Sequence, residues 1–104
     1  MINFFRNLIS PAAAGRLQAA VRSGALLIDV RTPAEFATGS VPGAINMPLT
    51  TLGNDYKKIK NKKSIIVFCR SGARSAQAKN LLIQKGIPNV INSGTWKQVQ
   101  KATL

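Results

Sequence analysis

The chain has 104 residues, with 15 Lys or Arg against 3 Asp or Glu, a formal net charge of +12 and a hydrophobic fraction of 45%. That length and apolar content fit one folded domain and argue against disorder. The sequence has no histidine, which excludes Ser-His-Asp triads, Cys-His dyads and histidine-ligated metals. A single cysteine, Cys69, excludes an internal disulfide and a cysteine-rich zinc site.

The acids are Asp29, Glu35 and Asp55, too few for a magnesium cage or a paired-carboxylate mechanism. Any chemistry therefore falls to Cys69, to arginines and to backbone amides. The positive charge suits anionic small molecules, nucleic acid, or an acidic protein or membrane surface. The six aromatics are not interleaved with the basic residues, so dedicated nucleic-acid binding is not expected. No apolar run approaches the about 18 residues of a membrane span.

Residues 1–9 are apolar but broken by Asn3, Arg6 and Asn7, so they make a poor secretory signal. The spacing of Phe4, Phe5, Leu8 and Ile9 predicts a short helix docked on a single domain of residues 10–104. A weak interfacial anchor is the alternative for this segment. The expected location is cytoplasmic.

Ser10 as N-cap and Pro11 at the first helical position open a helix that Gly24 closes. Leu26 to Val30 is a short apolar run without alternation, the pattern of a strand buried on both faces of a parallel sheet. Thr32-Pro33-Ala34-Glu35 matches a capping box and predicts a short helix stopping near Gly39. Pro42-Gly43 turns the chain into a second strand, Ala44 to Met47, and a helix is expected over Thr50 to Lys60.

Lys57, Lys58, Lys60, Lys62 and Lys63 read as the solvated end of that helix and the loop beyond it. The alternative is a docking patch for an acidic protein partner. Ser64 to Phe68 is the clearest strand, being rich in β-branched residues. It enters the polar segment Cys69-Arg70-Ser71-Gly72-Ala73-Arg74-Ser75, after which Ala76, Ala78, Leu81, Leu82 and Ile83 mark a helix ending at Gly86. Val90-Ile91 is a last strand and Trp96 to Ala102 a last helix. Strands alternating with helices define an α/β fold with a mainly parallel central sheet and helices on both faces.

Ligands of such sheets bind beyond the carboxyl ends of the strands, where Cys69 lies. A loop there turns backbone amides inward, and the following helix adds the positive end of its dipole. Gly72 supplies the backbone freedom for such a turn, and Arg70 and Arg74 bring permanent positive charge. All of this favours thiolate over thiol, so Cys69 is expected to be reactive. Asp29, Arg31 and Glu35 read as supporting residues that pair, cap or brace backbone near the loop, since carboxylates beside a thiolate oppose its ionisation. Ser71 and Ser75 read as loop donors or a cap, and Trp96 as a packing residue.

Three blocks now stand in register: Ile28 to Phe36, Gly39 to Pro48, and Cys69-Arg70-Ser71-Gly72-Ala73-Arg74-Ser75. Together they resemble a single-domain rhodanese over roughly residues 10–100. The resemblance implies the rhodanese fold and a sulfurtransferase that carries sulfur as a Cys69 persulfide, without metal or organic cofactor. The partners it implies are a small anionic sulfur donor, thiosulfate or a persulfide, and a thiol or cyanide acceptor.

Arg70 and Arg74 would hold the donor, and residues 70–75 would cradle the persulfide. The resemblance also gives Arg74 a bracing role. Ser40 stands where the family often has histidine, and Ser93-Gly94 where it often has a Gly-Gly pair. The competing readings are a cysteine-dependent phosphatase or arsenate reductase, whose loop carries one more residue between cysteine and arginine, and a non-catalytic rhodanese-like binding module.

Overall fold

A computed structural model describes residues 10–104; the expected helix within residues 1–9 lies outside them. Ser10 caps α1 (Pro11–Arg22) by accepting from the Ala13 amide at 3.0 Å. Strand β1 (Leu26–Asp29) follows, then α2 (Pro33–Ala37), whose Thr32–Glu35 capping box is present as the sequence predicts. Next come β2 (Ile45–Asn46), α3 (Leu49–Asp55), β3 (Ile65–Cys69), α4 (Ala73–Gln84), β4 (Val90–Thr95) and α5 (Trp96–Ala102).

The four strands form one sheet in the order β2-β1-β3-β4, and every pairing is parallel. Side chains of β3 alternate between two helical layers. Ile65, Val67 and Cys69 join Leu52, Ala78 and Leu82 on the side of α3 and α4. Ile66 and Phe68 join Leu17 and Val99 on the side of α1 and α5. All five residues of β3 are buried, which is why the strand shows no polar alternation in sequence.

Local chemistry shifts several expected boundaries. The helix expected over Thr50 to Lys60 ends as α3 at Asp55 and tightens into a 3-10 turn, Tyr56–Lys58. Gly53, Asn54 and Asp55 are weak helix formers and account for the early stop. Helix α4 starts at Ala73, so Arg74 and Ser75 belong to its first turn rather than to the loop. Strand β4 extends to Thr95 because a bulge absorbs Ser93. Its register steps from Val67 opposite Asn92 to Phe68 opposite Gly94. The Asn92 side chain accepts from the Gly94 amide at 2.9 Å, and Gly94 takes a φ of +82° that favours glycine.

A buried ion pair joins the loops after β1 and α2. Asp29 is 0% exposed and accepts from the Arg31 amide at 2.9 Å, from Arg31 Nη2 at 2.7 Å and from the Ser40 hydroxyl at 2.7 Å. Arg31 Nη2 also donates to the Gly39 carbonyl at 2.6 Å, and the guanidinium lies 5.6 Å from the Trp96 ring centre. Asn46 completes the clamp by donating to the carbonyls of Asp29 and Arg31, each at 2.9 Å.

Breaking one side of a buried pair strands the other charge, at a cost of about 3–5 kcal/mol. Asp29→Asn is therefore expected to lose stability of that order in urea unfolding. An unchanged midpoint would show that the clamp carries no weight.

Candidate active site

Strand β3 delivers Cys69 to the carboxyl end of the sheet. Arg70 and Ser71 then lie exposed, and Gly72 takes a φ of +103°. That left-handed turn points the Gly72 amide at the sulfur, donating to Sγ at 2.9 Å. A Cβ on Gly72 would lie 3.5 Å from the Gly94 Cα, an ordinary contact. Glycine is required there for conformation rather than for space. The amino end of α4 faces the same atom and adds its partial positive charge.

The sulfur sits on a polar floor. Ser75 Oγ lies 3.5 Å from Sγ, and the Gly94 carbonyl oxygen 3.7 Å from it. Cys69 itself is 0% exposed. Burial pushes its thiol up. Donation from the Ser75 hydroxyl and from the amides of Ser75, Gly72 and Ser71 outweighs this and leaves the thiol below its ordinary value. Hydrogen-bond donors thus account for the thiolate more directly than the flanking arginines do.

The two arginines part company. Arg74 meets Glu35 through two nearly parallel bonds, Nη1 to Oε1 at 2.6 Å and Nη2 to Oε2 at 2.9 Å. This pair ties α2 to the first turn of α4, directly behind the loop. Glu35 also accepts from the Thr32 amide at 3.1 Å. Its carboxyl falls to about 2 from an ordinary 4.5, chiefly through the Arg74 guanidinium and then through Thr32.

Arg70, by contrast, is exposed and has no ion-pair partner among the described residues. The structure thus brings Cys69, Gly72 and Ser75 into contact and braces them with Arg74 and Glu35. Asp29 and Arg31 are paired with each other and make no hydrogen bond to the sulfur. Ala73 is exposed at the start of α4. The described residues contain no cluster of His, Cys, Asp or Glu suited to a metal, and none of their helices is long and apolar enough to cross a membrane.

Two participants stood out in the sequence only as departures from the family pattern, with no role attached. Gly94, of the Ser93-Gly94 pair, places its carbonyl 3.7 Å from the sulfur. Ser40 serves as a donor to Asp29, a pairing across 11 positions that no local pattern announces.

An α/β domain with a thiol seated on amides at the end of a parallel strand defines a class that the comparisons identify. A rhodanese-like domain model matches residues 13–102, and the chain belongs to that family. It is 42% identical over 67 residues to a sulfurtransferase of Allochromatium vinosum, covering 64% of this chain and 63% of that protein. It is 35% identical over 74 residues to the thiosulfate sulfurtransferase PspE of Escherichia coli, covering 69% of this chain and 71% of the relative.

The matched region spans 54% of YqhL from Bacillus subtilis, so it is less than two thirds of that relative and of the Allochromatium protein. Among solved structures, the human single-domain sulfurtransferase TSTD1 superposes with a TM-score of 0.71 at 26% identity, covering 84% of this chain and 91% of that one.

The Glu35 tie has a defined pH window. Its folded carboxyl lies below the ordinary 4.5, so the stabilisation is present above that value and is lost as pH falls through about 2. An NMR titration of the Glu35 side chain is expected to show it still ionised at pH 4, and a midpoint near the ordinary value would contradict the pairing.

Proposed function

We propose that this chain is a sulfurtransferase that moves sulfane sulfur from thiosulfate or a persulfide donor to a thiol or cyanide acceptor through a Cys69 persulfide. The observation that carries the reading is a sulfur at the end of a parallel strand with the Gly72 amide 2.9 Å away, in a site that has no side-chain base. A thiolate held by amides needs no base to attack. Covalent catalysis then divides one difficult transfer into two displacements.

The Cys69 thiolate attacks the outer sulfur of the donor, and sulfite or a thiolate departs. Amides of residues 70–75 then hold the persulfide anion as a preorganised cradle. A thiol or cyanide removes the outer sulfur and restores Cys69. The kinship with proteins named sulfurtransferases supports the same chemistry. A reduced thiol suits the cytoplasm.

A phosphatase reading is weaker. Four residues separate Cys69 from Arg74, and that arginine is already held by Glu35. The arc is short and its closing arginine is engaged, which leaves few donors to surround three equatorial phosphoryl oxygens. After incubation with thiosulfate, intact protein is expected to gain the mass of one sulfur, and cyanide to remove it. A Cys69→Ser variant that still turned over thiosulfate would sink the proposal. Cys69-dependent hydrolysis of an aryl phosphate faster than sulfur transfer would favour the phosphatase, and no loading with any sulfane donor the binding module.

The charges divide in the same way. Lys62 and Lys63 precede β3, while Cys69 ends it. A five-residue strand puts about 15 Å between them. Arg70→Gln is therefore expected to lower kcat/KM for thiosulfate several-fold, in a salt-dependent way. Gln at Lys57, Lys58, Lys60, Lys62 and Lys63 leaves small-donor turnover nearly unchanged. An acidic protein partner docking on that run would sit at the far end of the sheet. A large loss with thiosulfate in the lysine variant, and none with Arg70→Gln, would reverse this assignment.

A further inference from the structure

Ser75 has more acceptors in reach than one hydroxyl proton can serve. It is 0% exposed, and its Oγ lies 3.0 Å from the Gly72 carbonyl oxygen, 3.4 Å from that of Gly94 and 3.5 Å from Sγ. When Cys69 is a thiol, the S–H can donate to the Gly94 carbonyl or to Ser75 Oγ, and the serine proton rests on Gly72. A thiolate cannot donate, so the serine proton turns to the sulfur. The Gly72 carbonyl is not orphaned by that turn, because it also accepts from the Ala76 amide at 3.0 Å. The rotation therefore leaves the Gly72 carbonyl with a donor in both states.

We infer that Ser75 is a positioning residue whose hydroxyl follows the charge on the inner sulfur, stabilising Cys69 as nucleophile and as leaving group but not the persulfide between them. The inference rests on the sulfurtransferase reading and assigns the hydroxyl a place in each half of the cycle.

In loading, the Cys69 thiolate forms a bond to the outer sulfur of thiosulfate. The donor's S–S bond breaks, and its electron pair leaves on sulfite. The negative charge now sits on the outer sulfur. Sγ has become a neutral disulfide-type atom, and the Ser75 proton returns to Gly72. In discharge, cyanide bonds to the outer sulfur and departs as thiocyanate. The electron pair of the broken S–S bond returns to Sγ, and the hydroxyl turns back to meet it.

The two halves must then respond differently to losing the hydroxyl. Loading depends on how much thiolate is present, which a higher pH restores. Discharge depends on how well the departing thiolate is stabilised, which pH does not restore. Burial is the largest influence on the Cys69 thiol and pushes it up; Ser75 donation is foremost among those bringing it down.

The test uses the full chain as wild type, Ser75→Ala and Ser75→Thr. It measures the pH midpoint of Cys69 alkylation by iodoacetamide, single-turnover loading from thiosulfate, and cyanide discharge of the isolated persulfide. For Ser75→Ala the alkylation midpoint is expected to move up. Loading slows about tenfold at pH 7, the scale of one hydrogen bond to a charged group, and recovers as pH rises. Discharge stays about tenfold slow across the range. Ser75→Thr, which keeps the hydroxyl, restores all three.

Should Ser75→Ala fail to fold, Ser75→Thr and Ser75→Val match in shape and differ in the hydroxyl, and give the same comparison. An unmoved alkylation midpoint, or equal losses in loading and discharge at every pH, would overturn the inference. Failure of the wild type to load sulfur would instead remove the sulfurtransferase reading, with the alkylation midpoint still judging Ser75.

Discussion

A sulfur atom withdrawn from water can carry charge only if the protein supplies the hydrogen bonds that water would have given. Cys69 is buried on the α3 and α4 side of β3, so its protonation state is set within a few ångströms. The Gly72 amide at 2.9 Å and the Ser75 hydroxyl favour the charge, while burial and the Gly94 carbonyl at 3.7 Å oppose it. Everything around the site serves that local balance. The left-handed Gly72 aims an amide, the bulge at Ser93 sets the height of Gly94, and the start of α4 fixes Ser75. A shift of a few tenths of an ångström in any of these changes the balance of donors and acceptors at Sγ.

The carboxylates are deployed with the same locality. Of 3 acids against 15 Lys and Arg, two lie at the site end of the sheet, and each holds one arginine. Asp29 fixes Arg31 and, through Ser40 and Gly39, the loop that follows α2. Glu35 fixes Arg74 and so the first turn of α4. In a chain of this charge, neither acid is needed for bulk neutrality. Each instead converts a long, flexible cation into a strut. Arg70, left without such a partner, keeps its charge available to solvent and to an arriving anion.

Much of this was legible in the sequence because it is written locally. The continuous apolar run of β3, the Ser10 and Thr32 caps and the glycine after Cys69 each carry their reason within a few residues. The rhodanese-like family follows from blocks that lie in order along the chain. The illegible parts depend on contacts between distant segments. Glu35 pairing with Arg74 rather than Arg31 joins residues 39 positions apart. The reach of β4 to Thr95 depends on a bulge whose extra residue is placed by pairing with β3. The early end of α3 is an intermediate case. Its weak helix formers are visible, but where such a helix yields depends on how Leu52 and Ile59 seat in the core.

Long-range and short-range electrostatics thus act on different stages of one encounter. A net charge of +12 raises the concentration of any anion near the surface and does not distinguish thiosulfate from phosphate. That field weakens with salt, since the Debye length falls from about 10 Å at 0.1 M to about 3 Å at 1 M. Selection must come later, in the cradle, where contacts are shorter than any Debye length. The proposed transfer of a single sulfur needs few donors, in keeping with the short turn from Cys69 to Arg74. Arg74 is held in its pair with Glu35, whereas Arg70 at the start of the same turn is exposed and has no ion-pair partner among the described residues. The Glu35–Arg74 pair acts at this short range too, because it fixes the first turn of α4, the turn that sets Ser75 beside the sulfur.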